Sequence, residues 1–160
     1  MTLPRVGVGY DSHIFGADRP LMLGGVFIVH TSGLKGHSDG DALCHAIIDA
    51  LLGAAAMGDI GTFFPDTDAH WKDADSLQML AEVRWRLEAA DYEIINVDAT
   101  VIAEEPRLAS HIVPMRENIA SALGVDVEAV SVKAKTNEGM DAVGRGDGII
   151  VFAIASVGGS

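Results

Sequence analysis

The run ALCHAIIDALLGAAAM, residues 42–57, constrains the fold more than any other stretch of the chain. It is apolar nearly throughout, yet His45 and Asp49 interrupt it. A bilayer-spanning helix needs about 20 consecutive apolar residues with few charges, so this segment is too short and too polar to be one. It reads as a helix of a water-facing fold from about residue 41 to 57, capped by Ser38 or Asp39 and ended by Gly58. Asp41, His45 and Asp49 follow at i, i+4 and i+8, so they share one face of a helix otherwise built of Ala, Leu and Ile.

A partner for that polar face lies upstream. In GVGYDSHIFG, residues 7–16, the β-branched and aromatic residues predict a strand over about 5–12. Asp11 and His13 are two apart and point to the same side. With an imidazole from the helix they would make an Asp/His/His set, which leaves one position of a tetrahedral zinc open; a structural zinc site closes all four. Asp49 would then orient a ligand histidine. The competing reading of His45 is a buried, hydrogen-bonded core histidine, and spacing alone does not choose. Cys44 points about 100° away from His45 and reads as core.

The remaining elements follow from periodicity and turn chemistry. LMLGGVFIVH predicts a Gly-Gly hairpin with Val26 to His30 as its second arm. Asp73 or Asp75 caps a helix to about Asp91, with Leu77, Leu80, Val83 and Leu87 as its apolar stripe. EIINVDATVIA is a strand ended by Pro106, and PMRENIASALG is a helix with Gly124 after it. VSVKAK and IIVFAIAS are the last strands. The result is an α/β (α+β) chain: one domain over residues 1–160, a mixed four-stranded main sheet with helices on one face, and a small hairpin. Apolar residues make up 49% of the chain and mean hydropathy is +0.27, high enough to suggest apolar surface buried against further copies.

Charge and cysteine content narrow the function. A net charge of −12 argues against nucleic acid as a partner but not against a small anion. The one cysteine permits no internal disulfide, and the N-terminus has neither a secretory nor a transit layout, so a cytoplasmic protein without membrane attachment is expected. Three further clusters carry chemistry. HSDGD, residues 37–41, is either a solvated helix cap or a loop bringing an imidazole and a hydroxyl to a substrate. GDIG (58–61) and FPDTD (64–68) are turn formers first, with backbone N–H groups suited to phosphate oxygens. In VKAKTNEGMDAVGRGDG, Lys133 and Lys135 share a strand face, and Glu138 beyond it suits Mg²⁺ against a diphosphate. Arg145 between two glycines suggests an anion contact.

Taken in order, GYDSHIFG, LGG, GHSDGDALCHAIIDALLGAAAMGDIGTFFPDTD, ADS, NVDATVIAEEPRL, and VKAKTNEG followed by GRGDG resemble the 2-C-methyl-D-erythritol 2,4-cyclodiphosphate synthase family over nearly the whole chain. The resemblance implies a homotrimer with active sites between adjacent subunits and an isoprenoid-precursor function outside the mevalonate route. It implies that Asp11, His13 and His45 hold Zn²⁺, one per subunit, and that Glu138 holds Mg²⁺ or Mn²⁺ bridging the substrate's α and β phosphates. His37 and Thr136 match the pair that stabilises the transition state. Asp11, Ser12, His13, His37 and Ser38 fall in segments at the phosphate end of the substrate. Asp59, Ile60, Gly61, Phe64, Pro65, Asp66, Thr67 and Asp68 match segments holding the methylerythritol portion. Ala103, Pro106, Arg107, Leu108 and Ala109, with Lys135, Thr136, Asn137 and Glu138, match the cytidine and diphosphate contacts from the neighbouring subunit.

Arg145 matches an arginine of a cavity on the threefold axis where the family binds isoprenoid diphosphates, although Ala142 stands where an aromatic is common. Lys135 replaces a frequent threonine, and Arg107 a lysine of some members. The implied reaction converts 4-diphosphocytidyl-2-C-methyl-D-erythritol 2-phosphate to the cyclic diphosphate with release of CMP, a phosphorus–oxygen lyase step. Two other readings compete: a metal-dependent phosphohydrolase, and a non-catalytic trimer that binds a prenyl diphosphate.

Overall fold

The computed structural model describes residues 3–159; Met1, Thr2 and Ser160, which the single-domain expectation includes, lie outside the described residues. Elements run β1 (Arg5–Ala17), β2 (Leu21–Leu23), β3 (Val26–Ile28), β4 (Gly33–Leu34), α1 (Ala42–Ala54), α2 (Ile60–Phe63), α3 (Ser76–Ala89), β5 (Tyr92–Ile102), α4 (Ile112–Leu123), β6 (Val130–Lys135), α5 (Asp141–Gly144) and β7 (Gly148–Gly159). The main sheet has the order β4-β1-β7-β5-β6, and β2-β3 form a separate hairpin. The sheet is mixed because β5 and β6 run parallel while the other pairs are antiparallel. It has five strands where four were expected. The fifth, β4, is two residues long and pairs with the end of β1, too short to leave a periodicity.

Strand alternation assigns the two faces. Gly7 and Gly9 of β1, Val97, Ala99 and Val101 of β5, and Val151, Ala153 and Ala155 of β7 are buried beneath α1 and its neighbouring helices. The opposite face leaves Val6, Val8, Tyr10 and Ile14 of β1 exposed beside Phe152 and Ile154 of β7. Tyr10 and Phe152, paired in register, meet edge to face with ring centroids 5.2 Å apart. Helices therefore cover one face only, and a broad apolar strip remains on the other.

Two details of packing fix α1. Gly7 and Gly9 bring its backbone so close that an added Cβ would fall 2.1 Å from the Ala50 oxygen or 1.8 Å from the Ala46 oxygen. Its N-cap is Asp41, not Ser38 or Asp39. One Asp41 oxygen accepts from the Cys44 N–H at 3.1 Å and from Gly24 at 2.9 Å, and the other accepts from Gly25 at 2.8 Å. Gly24 and Gly25 both have positive φ, as the two-residue hairpin turn requires. The turn thus aims two N–H groups at a carboxylate that is fully buried. Asp39 instead accepts from the N–H groups of Asp41 and Ser76, at 3.1 and 3.0 Å. The helix stops at Ala54, three residues short of the expected end, and Ala56 takes a left-handed φ of 57°. Cys44 lies in the core, where burial pushes its thiol well up.

Candidate active site

β1 enters the site with Asp11 and His13 on its helix-covered side, and α1 presents His45 from above. Ligand atoms of the three residues lie within 4.8 Å of one another, the one such group of three among the described residues. Asp11 Oδ2 is 2.8 Å from His13 Nε2 and 3.2 Å from His45 Nδ1. Each imidazole is tied at its other nitrogen. His13 Nδ1–H donates to the Lys35 carbonyl, and His45 Nε2 faces Ser38 Oγ at 2.8 Å and Ser76 Oγ at 3.3 Å. Ser76 Oγ–H donates to Asp39, so its lone pair faces His45 and the Nε2 proton points away from Asp11. One nitrogen of each ring is thereby directed at a shared point with its partner nitrogen anchored, the arrangement of metal-binding histidines.

The electrostatics agree. Burial pushes the Asp11 carboxyl up, but hydrogen bonds and charge from His13 and His45 outweigh it and hold the carboxyl at about 2. Burial also works against protonated His13, yet the Asp11 carboxylate overrides it and raises the imidazole above its ordinary value. The proton on His13 Nε2 thus lies where a divalent cation would sit. The donor set fits a metal of intermediate softness, with one carboxylate and two imidazoles. Asp49 does not orient a ligand histidine. Both nitrogens of His45 are engaged elsewhere, and Asp49 Oδ1 accepts the Ile60 N–H at 2.7 Å, tying α2 to α1.

These ligands line a cavity of about 260 Å³ with His37, Ser38, Ile60, Gly61, Phe64, Asp66, Trp71 and Met79. His37 Nε2 is buried there with no hydrogen-bond partner, a donor or acceptor left for something that enters. Phe64 and Trp71 meet edge to face at 4.6 Å. Of the neighbouring residues expected at the substrate, Asp59 caps α2 through Thr62 and Asp68 caps a 3-10 turn through His70. Pro65 and Thr67 are outside the cavity lining, and Ser12 points to the opposite sheet face.

A second, larger cavity of about 780 Å³ lies across the sheet at its β5–β6 edge, lined by Ala103, Pro106–Ala109, Lys135 and Thr136 among others. Beside it, Glu104 Oε1 accepts from the Asn137 and Gly139 N–H groups at 2.7 and 3.3 Å, and Glu138 is exposed with φ 52°. Arg145 lines a third cavity with Phe15 and His30. No lining residue is common to the first two cavities. His13 is in register with Ile149 on β7, whose neighbour Ile150 faces Ile102 on β5, which pairs with Lys135 on β6. That is three strand spacings, about 14 Å across the sheet. Trp71, Met79, Ser76 and Arg19, which line or brace the metal cavity, escaped the sequence reading. Only the aromatic beside the FPDTD turn offered a signal.

Comparison with known proteins supplies the context. The sequence model of the YgbB family matches residues 4–158. The 2-C-methyl-D-erythritol 2,4-cyclodiphosphate synthase of Alkaliphilus oremlandii is 56% identical over 153 residues, covering 96% of this chain and 98% of that protein. The structure of IspF from Plasmodium falciparum in complex with CDP matches with a TM-score of 0.86 at 34% identity, over 100% of this chain and 99% of that one. The bifunctional IspDF from Campylobacter jejuni matches with a TM-score of 0.96 at 41% identity over 100% of this chain, which spans 43% of that longer protein. Sequence and fold agree over almost every residue, and the chain belongs to the YgbB family.

Proposed function

We infer that the chain forms 2-C-methyl-D-erythritol 2,4-cyclodiphosphate in isoprenoid biosynthesis, the product for which its curated relatives are named. The observation that carries this reading is the convergence of Asp11, His13 and His45 on one point, in a cavity that also holds the unpartnered nitrogen of His37. The substrate is 4-diphosphocytidyl-2-C-methyl-D-erythritol 2-phosphate. Its 2-phosphate oxygen bonds to the β-phosphorus as the β-phosphorus–oxygen bond to CMP breaks, so the step is a phosphorus–oxygen lyase reaction without an enzyme nucleophile.

The side chains divide the work. Asp11, His13 and His45 hold Zn²⁺ and Glu138 holds Mg²⁺ or Mn²⁺, and these cations supply the charge neutralisation on which phosphoryl transfer depends. His37 offers its buried nitrogen to a phosphoryl oxygen. Thr136 Oγ1 accepts the Glu138 N–H at 3.3 Å, leaving the hydroxyl proton for the diphosphate. Lys135 adds a positive charge at the rim of the larger cavity, whose volume suits a nucleoside. Phe64, Trp71 and Met79 give the methylerythritol carbons an apolar wall that excludes water.

The two cavities work together between subunits of a homotrimer, each chain acting as one synthase domain. The separation of the cavities within one chain supports this, and so does the exposed strip of Val6, Val8, Tyr10, Ile14, Phe152 and Ile154, which association would cover. No helix among the described residues is long and apolar enough to cross a membrane, and the cytoplasm is the expected compartment. The test is a product assay: incubation with the substrate and Mg²⁺ yields two coupled diphosphate ³¹P resonances and stoichiometric CMP. Inorganic phosphate or a linear product would identify a hydrolase instead.

A further inference from the structure

The loop between β4 and α1 carries His37 and Ser38, and its glycines suggest a mobile cover. Its backbone is instead held at every carbonyl from residue 34 to 38. Arg19, in the turn between β1 and β2, donates from Nε to Leu34 O at 2.9 Å, from Nη2 to Gly36 O at 2.8 Å and from Nη1 to Ser38 O at 2.6 Å. The carbonyls between them go to other partners: Lys35 O accepts from His13 Nδ1–H, and His37 O from the Asp73 N–H at 3.1 Å. Gly40, with φ 74°, makes room for the guanidinium; a Cβ there would fall 3.1 Å from Arg19 Nη2 and 2.8 Å from Leu34 O.

We propose that Arg19 is a positioning residue for the reaction, its guanidinium fork setting the loop so that His37 faces the substrate and Ser38 Oγ meets His45. The proposal rests on the functional reading above and deepens it. A planar fork with five donors reaches alternate carbonyls of a curved backbone, whereas a lysine ammonium is a point charge on a flexible stem. Arg19→Lys therefore separates geometry from charge, because it keeps the cation and removes the fork.

The test uses the full-length protein with Zn²⁺ and Mg²⁺ and compares Arg19→Lys and Arg19→Gln with wild type. Amide hydrogen exchange needs no substrate. The Lys35 and Asp39 N–H groups, bonded to Ile14 O at 3.0 Å and Ala74 O at 3.3 Å, report on the loop, and Val151 and Ala153 report on the sheet. In Arg19→Lys the two loop amides exchange at least about tenfold faster while the sheet amides keep their rates. Its kcat/KM falls at least about tenfold. Wild-type loop exchange and kcat/KM in Arg19→Lys would overturn the proposal, as would equal acceleration of loop and sheet amides, which marks a general stability role. Should Arg19→Gln fail to fold, Arg19→Lys still decides. Failure of wild type to release CMP would strike the functional reading, and the exchange result would still show whether Arg19 holds the loop.

Discussion

Replacing Gly9 with alanine tests how the metal site is assembled. The new Cβ would lie 1.8 Å from the Ala46 oxygen and 2.8 Å from the Ala50 nitrogen, where ordinary contact begins at 3.4 Å. Both atoms belong to the backbone of α1, so no side chain can swing aside. Helix and strand must part by roughly 1.6 Å, because a close-packed interior has no slack to absorb the methyl. His45 adjoins Ala46 and moves with it, away from Asp11 and His13 on the strand. Metal–ligand distances tolerate about 0.2 Å, so Zn²⁺ affinity falls by about 100-fold or more. Overpacking of this kind costs about 1–3 kcal/mol, a drop in Tm of about 2–12 °C for a domain of this size. Gly53→Ala is the control. It is solvent-exposed near the end of α1, its Cβ meets the nearest β1 backbone atoms only at 3.9 and 4.0 Å, and alanine in a helix gains about 0.5–1 kcal/mol over glycine. Thermal unfolding by circular dichroism and Zn²⁺ competition with a chromophoric chelator read both effects. Wild-type Zn²⁺ affinity in Gly9→Ala, or the same Tm shift in both variants, would refute the reasoning.

His45→Ala removes one of three ligands: Zn²⁺ binding and CMP release are lost while the circular dichroism spectrum stays native, and retained Zn²⁺ by metal analysis would remove His45 from the site. Glu138→Gln keeps Zn²⁺ bound but slows CMP release, and lowers the apparent affinity for Mg²⁺ in turnover. The pH dependence has two signs. In the metal-free protein the lowered Asp11 contributes stability above its ordinary value of 3.8, lost as pH falls towards about 2. The raised His13 contributes stability below 6.5, lost as pH rises through its folded value. Zn²⁺ must displace the His13 proton, so its apparent affinity is higher at pH 8 than at pH 6; a flat profile by chelator competition would contradict this.

Much of the fold and part of the site were legible in the sequence because they depend on local signals. Alternation in VSVKAK located β6 without error, and the Gly-Gly pair located the hairpin turn. The i, i+2 spacing of Asp11 and His13 put them on one face of the sheet, and the break that His45 makes in an apolar helix marked it for attention. What escaped depends on who meets whom across the fold. Asp41 became the cap of α1 because the hairpin turn brings two N–H groups to it from 16 and 17 residues upstream. Asp49 turned to Ile60 because Ser38 and Ser76 already occupy the outer nitrogen of His45. Arg19 carried no signal in the sequence, and only the folded loop shows what its guanidinium holds. Gly7 and Gly9 fall inside the predicted strand, but only the fold shows that they let α1 descend onto the sheet.

The central claim is that the metal cavity of one subunit and the nucleotide cavity of its neighbour make one active site. Complementation tests it directly. His45→Ala and Glu138→Gln, each inactive or nearly so alone, are co-expressed with different tags, and the mixed oligomers are isolated and assayed for CMP release. Every closed trimer that contains both variants has one of its three interfaces with an intact His45 from one subunit and an intact Glu138 from the next, so about a third of wild-type activity returns in the isolated mixed oligomers. Activity no higher than the sum of the two variants would place both halves of the site on a single chain and contradict the account.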